Sequence, residues 1–517
     1  MLSVYRNLLP FVLAVSAAVF AWLYGGTIGS LMLGITPWLC FIMLEVMLFF
    51  PQRRDNETTY EARERVWETL WHDPLTFVVI AFLVILAIPF VNGGLCPTCD
   101  VEAIAAGAKA EPLVSFLPSC VNRLHHLGVY LWFLPALIAM LAVRHSLTRN
   151  GKRTFLEMVV WNGVVLAAIG VVQQVSGASG PLWSDSLGDR AGYFFSTFGY
   201  PNMAGDYFTT LFGLSVALWR FRVDEVQQME FDLHAEGQTL GRRLFWRKHY
   251  LLIPVVINFV AAMSTLSRAA IILVSALAVI FFFHAAISFL SRMKKAARVK
   301  AGAYSCLVLI VIAVLASIFM PDDLQREVST LNTNEVLKRV TGKNDALARQ
   351  GIELWKEYPV FGCGGWGFLH LQVTAANEDD LRKGFVGSTG GINVHNDYIQ
   401  FMAEHGIVGF ACLVAMVGML LIPVSRAWRT LAKAARFAPK GKAPPSPRAL
   451  FALPAGAFCV LATAAATLIH AFGDCPLRSP AVLILFFTEL AALEGFLPRG
   501  LVQHEFNDKE EHHHAEG

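Results

Sequence analysis

Residues 75–91 read LTFVVIAFLVILAIPFV, an apolar run without a single charge. As a helix rising 1.5 Å per residue it crosses most of a hydrocarbon layer about 30 Å thick, so it reads as a membrane span. Comparable runs recur at approximately 8–24, 28–50, 124–143, 155–175, 203–219, 250–265, 269–290, 301–320, 397–423, 449–470 and 478–498, which makes about twelve in all. The chain is 55% hydrophobic and only 16% charged over 517 residues, a balance foreign to soluble domains. The expected fold class is therefore all-α: a polytopic integral membrane protein of about 12 transmembrane helices. The first run ends in SAAVFAWLYGG without a small-x-small cleavage site, and reads as a retained helix.

Lys and Arg set the orientation, because positive charge stays on the cytoplasmic side. With the N-terminus inside, about 29 of the 42 fall in cytoplasmic segments and about 5 in short outer loops. The basic stretches at 51–73, 144–153, 220–248, 291–300 and 425–448 alternate as an even-numbered bundle requires, which puts both termini in the cytoplasm. The other eight lie in one long outer segment, 321–395, large enough for short helices of its own. The expected organisation is a bundle over 1–320, this outer loop over 321–395, C-terminal membrane helices over 396–498 and a polar, disordered cytoplasmic tail over 499–517. A net charge of only +3, with basic residues flanking spans, points to contact with membrane lipid and away from nucleic acid.

Of nine cysteines, most sit in apolar runs as small hydrophobes. Cys96, Cys99 and Cys120 share one expected outer loop, where a structural disulfide with one thiol left over is the better reading and its pairing stays open. A redox C-x-x-C lacks the βαβ frame it needs, and zinc lacks a fourth ligand nearby beyond His125 or His126, so no metal is assigned. The HHH of the tail reads as a solvated run.

Ionisable groups inside spans are costly and mark function by default. Glu45, Asp206, Arg268, His284, Glu404, His405 and Glu489 qualify. Glu45 and Glu489 are expected to reach a cytoplasmic interface, and His284 to be a packing histidine. Arg268, in MSTLSRAAIILV, joins two spans through almost no loop, so its fixed cation must face a polar cavity or an anion such as phosphate. Arg190 lies among turn residues just before a Pro-Asn turn; Asn202 there is an expected cap, with Asp206 one turn in.

The outer segment begins amphipathic, with Leu347, Ile352, Leu354 and Trp355 at helical spacing, and then turns Gly-rich in FGCGGWGFLH. The P-loop Lys-Ser/Thr is missing, so these glycines serve tight turns and close approach to a neighbour rather than nucleotide binding. After GSTGGIN comes NVHNDYIQFMAEHGIVGF, residues 393–410. A helix capped by Asn396 or Asp397 places Asp397, Gln400 and Glu404 on one face, lining a cavity with His395 at its rim. Glu404 lies roughly 10–15 Å below His395 and is expected to pair with another buried group. Gly406 and Gly409 are expected to let this helix press against a neighbour.

His395-Asn396, nine residues and Gly406-Ile407-Val408-Gly409 resemble the H-[NSQ]-x9-G-x-x-G signature of the bacterial O-antigen ligase and O-antigen polymerase superfamily. LARQGIELWKEYPVFGCGGWGF, FSTFGYPNMAGDY and TLSRAA resemble the segments these proteins carry around it, and DCPLRSP at 474–480 is similar to an element of exopolysaccharide members. The resemblance covers about 190–410. It implies a GT-C-like, cofactor-free and metal-independent inverting glycosyltransferase at the periplasmic face of the bacterial inner membrane. The implied donor is a glycan on a polyprenyl (undecaprenyl) diphosphate, and the implied acceptor a hydroxyl of lipid A core or of another lipid-linked glycan.

Such chemistry needs a base for the hydroxyl and cations for the leaving diphosphate. His395 is the candidate base, since imidazoles ordinarily titrate near neutrality. Arg268 and Arg190 are the candidate diphosphate ligands, with Arg349 assisting and Asn396, Asp397 and Glu404 in support. Phe410 and Ala411 stand where some ligases carry Thr and an aromatic residue, which leaves a polymerase or a protein-glycan ligase open. Two other classes compete. A flippase for lipid-linked glycans would show two related halves, which are not apparent here, and a disulfide oxidoreductase would rest on Cys96 and Cys99 alone.

Overall fold

The computed structural model describes residues 2–27, 29–54, 56–92, 112–184, 194–235, 242–291, 343–384, 392–437 and 453–498. Among these the only β pairing is an isolated bridge between Phe195 and Phe198. All else is helix and connection.

The principal helices are α1 (Leu2–Trp22), α2 (Gly29–Phe49), α3 (Thr59–His72), α4 (Pro74–Ala87), α5 (Arg123–Leu141), α6 (Arg149–Ser176), α7 (Pro201–Ala235), α8 (Leu252–Ser264), α9 (Arg268–Ser291), α10 (Lys343–Glu357), α11 (Asp397–Phe437), α12 (Ala455–His470) and α13 (Pro480–Ala492). Their ends follow local chemistry. Asp73 caps α4 by accepting from the Leu75 N–H at 3.1 Å, with Pro74 in the first turn where its missing N–H costs nothing. Thr58 and Glu61 form a reciprocal capping box on α3.

Among the described residues six stretches are long and apolar enough to cross a membrane: Met32–Phe49, Pro74–Asn92, Arg123–Ser146, Arg149–Ser176, Arg268–Ser288 and Asp397–Lys433. Leu8–Trp22 and Ala455–His470 are shorter apolar helices. The described residues are nearly all helical, as a polytopic membrane protein requires, and the run read at 75–91 falls within one of these six stretches. The expected run at 301–320, the boundary at 320/321 and the tail lie outside the described residues.

The last helix sits deepest. Every residue of α13 is buried, enclosed chiefly by α5, α1, α7 and α12. Glu489 on α13 is accordingly 0% exposed, and neither of its carboxylate oxygens has a partner among the described residues. This corrects the expectation that it reaches an interface: α13 ends inside the bundle. His284 does pack, stacking on Phe458 with ring centroids 4.1 Å apart.

The segment before α11 forms a small second core. Leu347 and Leu354 of α10 meet Phe368, Val394 and Ala403, so α10 is stacked on the first turns of α11. Its apolar stripe faces protein.

Candidate active site

α11 begins in a clamp. Asn396 caps it, accepting from the Ile399 N–H at 3.1 Å, while its own amide donates to the Phe472 carbonyl at 3.1 Å. The Asp397 N–H donates to the Ala471 carbonyl and its carboxylate accepts from the Leu477 N–H, both at 2.9 Å. Four hydrogen bonds thus join the start of α11 to the end of α12 and the turn that follows it, once the Tyr398 hydroxyl donating to the Leu468 carbonyl at 2.7 Å is included.

That clamp sets His395 opposite Asp474, with Nδ1 3.1 Å from Oδ1. His395 sits at φ +56°, left-handed backbone that an L side chain adopts at a cost and that a functional site can retain. Its side chain is 30% exposed against 6% for Asp474. The carboxylate is fully engaged. It accepts from the Tyr200 hydroxyl at 3.2 Å, from the Asn202 amide and from the Cys475 N–H at 2.8 Å. Burial would push the Asp474 carboxyl up, but the bond and charge of His395, the charge of His470 and the Cys475 amide outweigh it and hold it at about 2. An ionised carboxylate can only accept, so the hydrogen it faces belongs on Nδ1, and in the neutral imidazole Nε2 of His395 is the nitrogen with the lone pair.

Asn202 therefore serves Asp474 in place of its expected role as a cap. The start of α7, which carries it, also reaches the α8–α9 junction, where Gly205 lies against Thr265, Ser267 and Ala270. This contact brings the junction bearing Arg268 beside the residues that hold Asp474. Arg268 opens α9 and is half-buried. Asp206, one turn into α7, is bound by His470 Nδ1 at 2.9 Å and by the Thr467 hydroxyl at 3.3 Å. Arg349 pairs with Asp380, within the segment ahead of α11. Arg190 lies outside the described residues.

Further along α11, Asp397, Gln400 and Glu404 are all buried on one face. Glu404 has the partner anticipated for it: Arg478 Nη1 at 3.0 Å, with Gln400 Nε2 at 3.1 Å on its other oxygen. Arg478 in turn lies over the faces of Trp366 and Trp132, 4.4 and 5.5 Å from the ring centroids.

Gly406 lets α11 press against a neighbour, as expected: a Cβ there would lie 2.2 Å from the Val360 carbonyl oxygen. At φ +63°, ψ −172° it breaks α11, in a region open essentially to glycine alone. The break frees the carbonyls of Ala403 and Glu404 and the N–H groups of Ile407 and Val408. Residues 359–364 take up all four. Pro359 and Val360 accept from Ile407 and Val408 at 2.9 and 3.1 Å, and Cys363 and Gly364 donate to Ala403 and Glu404 at 2.9 and 2.8 Å. A Cβ at Gly362 would lie 2.3 Å from the Glu404 backbone, which explains the Gly-rich FGCGG.

Of the three cysteines expected in a disulfide, Cys96 and Cys99 lie outside the described residues. Cys120 is a free buried thiol whose Sγ donates to the Pro89 carbonyl at 3.7 Å, so it takes no part in that bridge. Burial pushes it up to about 11, far from a reactive thiolate.

His395, Asp474 and Cys475 place ligand-type atoms within 4.8 Å of one another. The Asp474 oxygens are already claimed by three N–H or O–H donors besides His395, so the cluster is built as an oriented hydrogen-bonded pair. Asp474 and Arg478 were not singled out by the sequence. Both lie in DCPLRSP, and the signal for that stretch was its resemblance to an element of exopolysaccharide members.

Residues 253–414 match a family model described as O-antigen ligase. The match takes in Arg268, Arg349, His395 and Glu404 and stops short of Asp474 and Arg478. A comparison with curated proteins finds no match.

Proposed function

For a chain that residues 253–414 assign to the O-antigen ligase/polymerase superfamily, we propose the activity of a membrane glycosyltransferase. It moves a glycan from a polyprenyl diphosphate to a sugar hydroxyl. The observation that carries this reading is the half-buried His395 hydrogen-bonded through Nδ1 to Asp474 at the mouth of α11.

His395 Nε2 takes the proton of the acceptor hydroxyl as its oxygen bonds the anomeric carbon; the carbon–oxygen bond to the diphosphate breaks, and the diphosphate leaves on its carrier. Asp474 steadies the imidazolium that forms. Attack opposite the leaving group inverts the anomeric centre, and no step calls for a metal. Arg268, at the junction packed beside the Asp474 partners, and Arg190 receive the diphosphate charge; Arg349 holds the outer segment to Asp380. Basic residues at alternate connections support a GT-C-like bundle in the bacterial inner membrane, with both termini cytoplasmic and His395 at the periplasmic face.

Phe410 and Ala411, in place of Thr and an aromatic residue, favour a second reading within the superfamily, a polymerase whose acceptor is another lipid-linked glycan. Reconstituted vesicles supplied with lipid-diphosphate glycan test both. His395→Ala should lower transfer by roughly 10²–10⁴-fold at equal protein level. Transfer at wild-type rate would remove His395 from the mechanism. Glycan lengthening on the carrier marks a polymerase, and glycan moved to lipid A core marks a ligase.

A further inference from the structure

A cavity of about 240 Å³ runs along α11 between α5 and α13, starting beside Asp397 and passing Glu404. Its walls are apolar, with Phe133, Phe401, Leu413, Val417 and Phe486 along its length, and offer almost nothing to a sugar's hydroxyls. Arg478 stands at its polar end, only 10% exposed. Glu404 engages Nη1 alone, and among the described residues neither Nε nor Nη2 of Arg478 finds an acceptor.

Buried guanidinium donors without partners are costly, and this side chain is held in place by two tryptophan faces and a carboxylate. Nε and Nη2 share one edge of the guanidinium fork, whose spacing suits two oxygens of one phosphate. The ligand that answers both features has an anionic phosphate head and a hydrocarbon chain.

We propose that this cavity is the seat of the carrier lipid: Arg478 takes the phosphate nearest the chain through Nε and Nη2, and the first isoprene units lie along α11 between α5 and α13. The proposal rests on the reading of the donor as a polyprenyl diphosphate. It adds Arg478, outside the segment matched by the family model, as a binding residue, and makes Trp132 and Trp366 the supports that aim it. Glu404 becomes a positioning residue that fixes the fork while leaving its second edge open.

The test is binding of undecaprenyl phosphate to the full-length purified chain, read by native mass spectrometry in competition with phosphatidylglycerol. Wild type should retain the isoprenoid phosphate preferentially. Arg478→Lys keeps a cation for Glu404 but loses the fork, and should weaken retention roughly tenfold or more. The double variant Glu404→Gln/Arg478→Met leaves no unpaired charge in the cavity and should lose it to at least the same extent. Glu404→Gln alone loosens the group that fixes the fork and should weaken retention less than Arg478→Lys does. Retention by the double variant at wild-type level, or equal occupancy by phosphatidylglycerol, would overturn the proposal. His395→Ala should bind normally, so a failure of the transferase reading shows in transfer and a failure here shows in retention.

Discussion

Two histidine–aspartate pairs flank the same turn. His395 meets Asp474 at 3.1 Å and His470 meets Asp206 at 2.9 Å, in each case through Nδ1. The side chains of the second pair are each 1% exposed, whereas His395 is 30% exposed. The chemistry of contact is the same, and access separates the roles. A base must meet its substrate and pass on a proton, which His395 can do through Nε2. His470 Nε2 is buried with no partner among the described residues, so its pair can only tie α12 to α7.

The largest effect that would break this contrast concerns the enclosed pair. Asp206→Ala strands a buried imidazole and should lower unfolding stability by about 3–5 kcal/mol. Transfer per folded molecule should change little. Chemical denaturation in micelles together with specific activity checks both, and a large loss of specific activity without loss of stability would make His470 a participant in catalysis.

The exposed pair should respond the other way. Asp474→Asn removes the fixed tautomer and the anion facing His395, and transfer should fall by roughly 10²-fold. The pH dependence of stability carries a sign as well. The Asp474 carboxyl is held at about 2 in the folded chain, below the ordinary value of about 3.9. Its contribution is therefore complete above about pH 4 and is lost as pH falls toward 2. The stability difference between wild type and Asp474→Asn should shrink as pH falls below about 4. A difference that grows on acidification would mean that Asp474 is protonated at neutrality.

The spans were legible because a long apolar run states its own environment, and His395 and Glu404 were legible because polarity at the mouth of such a run is costly. Their partners were not. Asp474 lies 79 residues beyond His395 and Arg478 lies 74 beyond Glu404, and no local pattern joins positions that only the α12–α13 turn brings together. Gly406 was half legible. Its close approach to a neighbour could be read from a glycine at that place, whereas the break in α11 depends on residues 359–364 returning to satisfy the freed backbone. Glu489 looked accessible because span-end arithmetic cannot show that α13 ends inside protein.

The smallest effect sharpens how the exposed pair is held. Asn396 makes two bonds of different kinds: its oxygen caps α11 and its amide donates to the Phe472 carbonyl, two residues before Asp474. Asn396→Ala loses both and should cost about 1 kcal/mol, typical of a lost cap. Asn396→Asp restores the acceptor for the Ile399 N–H and sets a carboxylate against a carbonyl. If the cap is all that matters, the aspartate variant recovers both stability and transfer. The clamp geometry predicts that it recovers stability while transfer stays several-fold low, because the turn carrying Asp474 is no longer drawn to His395. Recovery of both would assign the His395–Asp474 spacing to the three other bonds that join α11 to that turn.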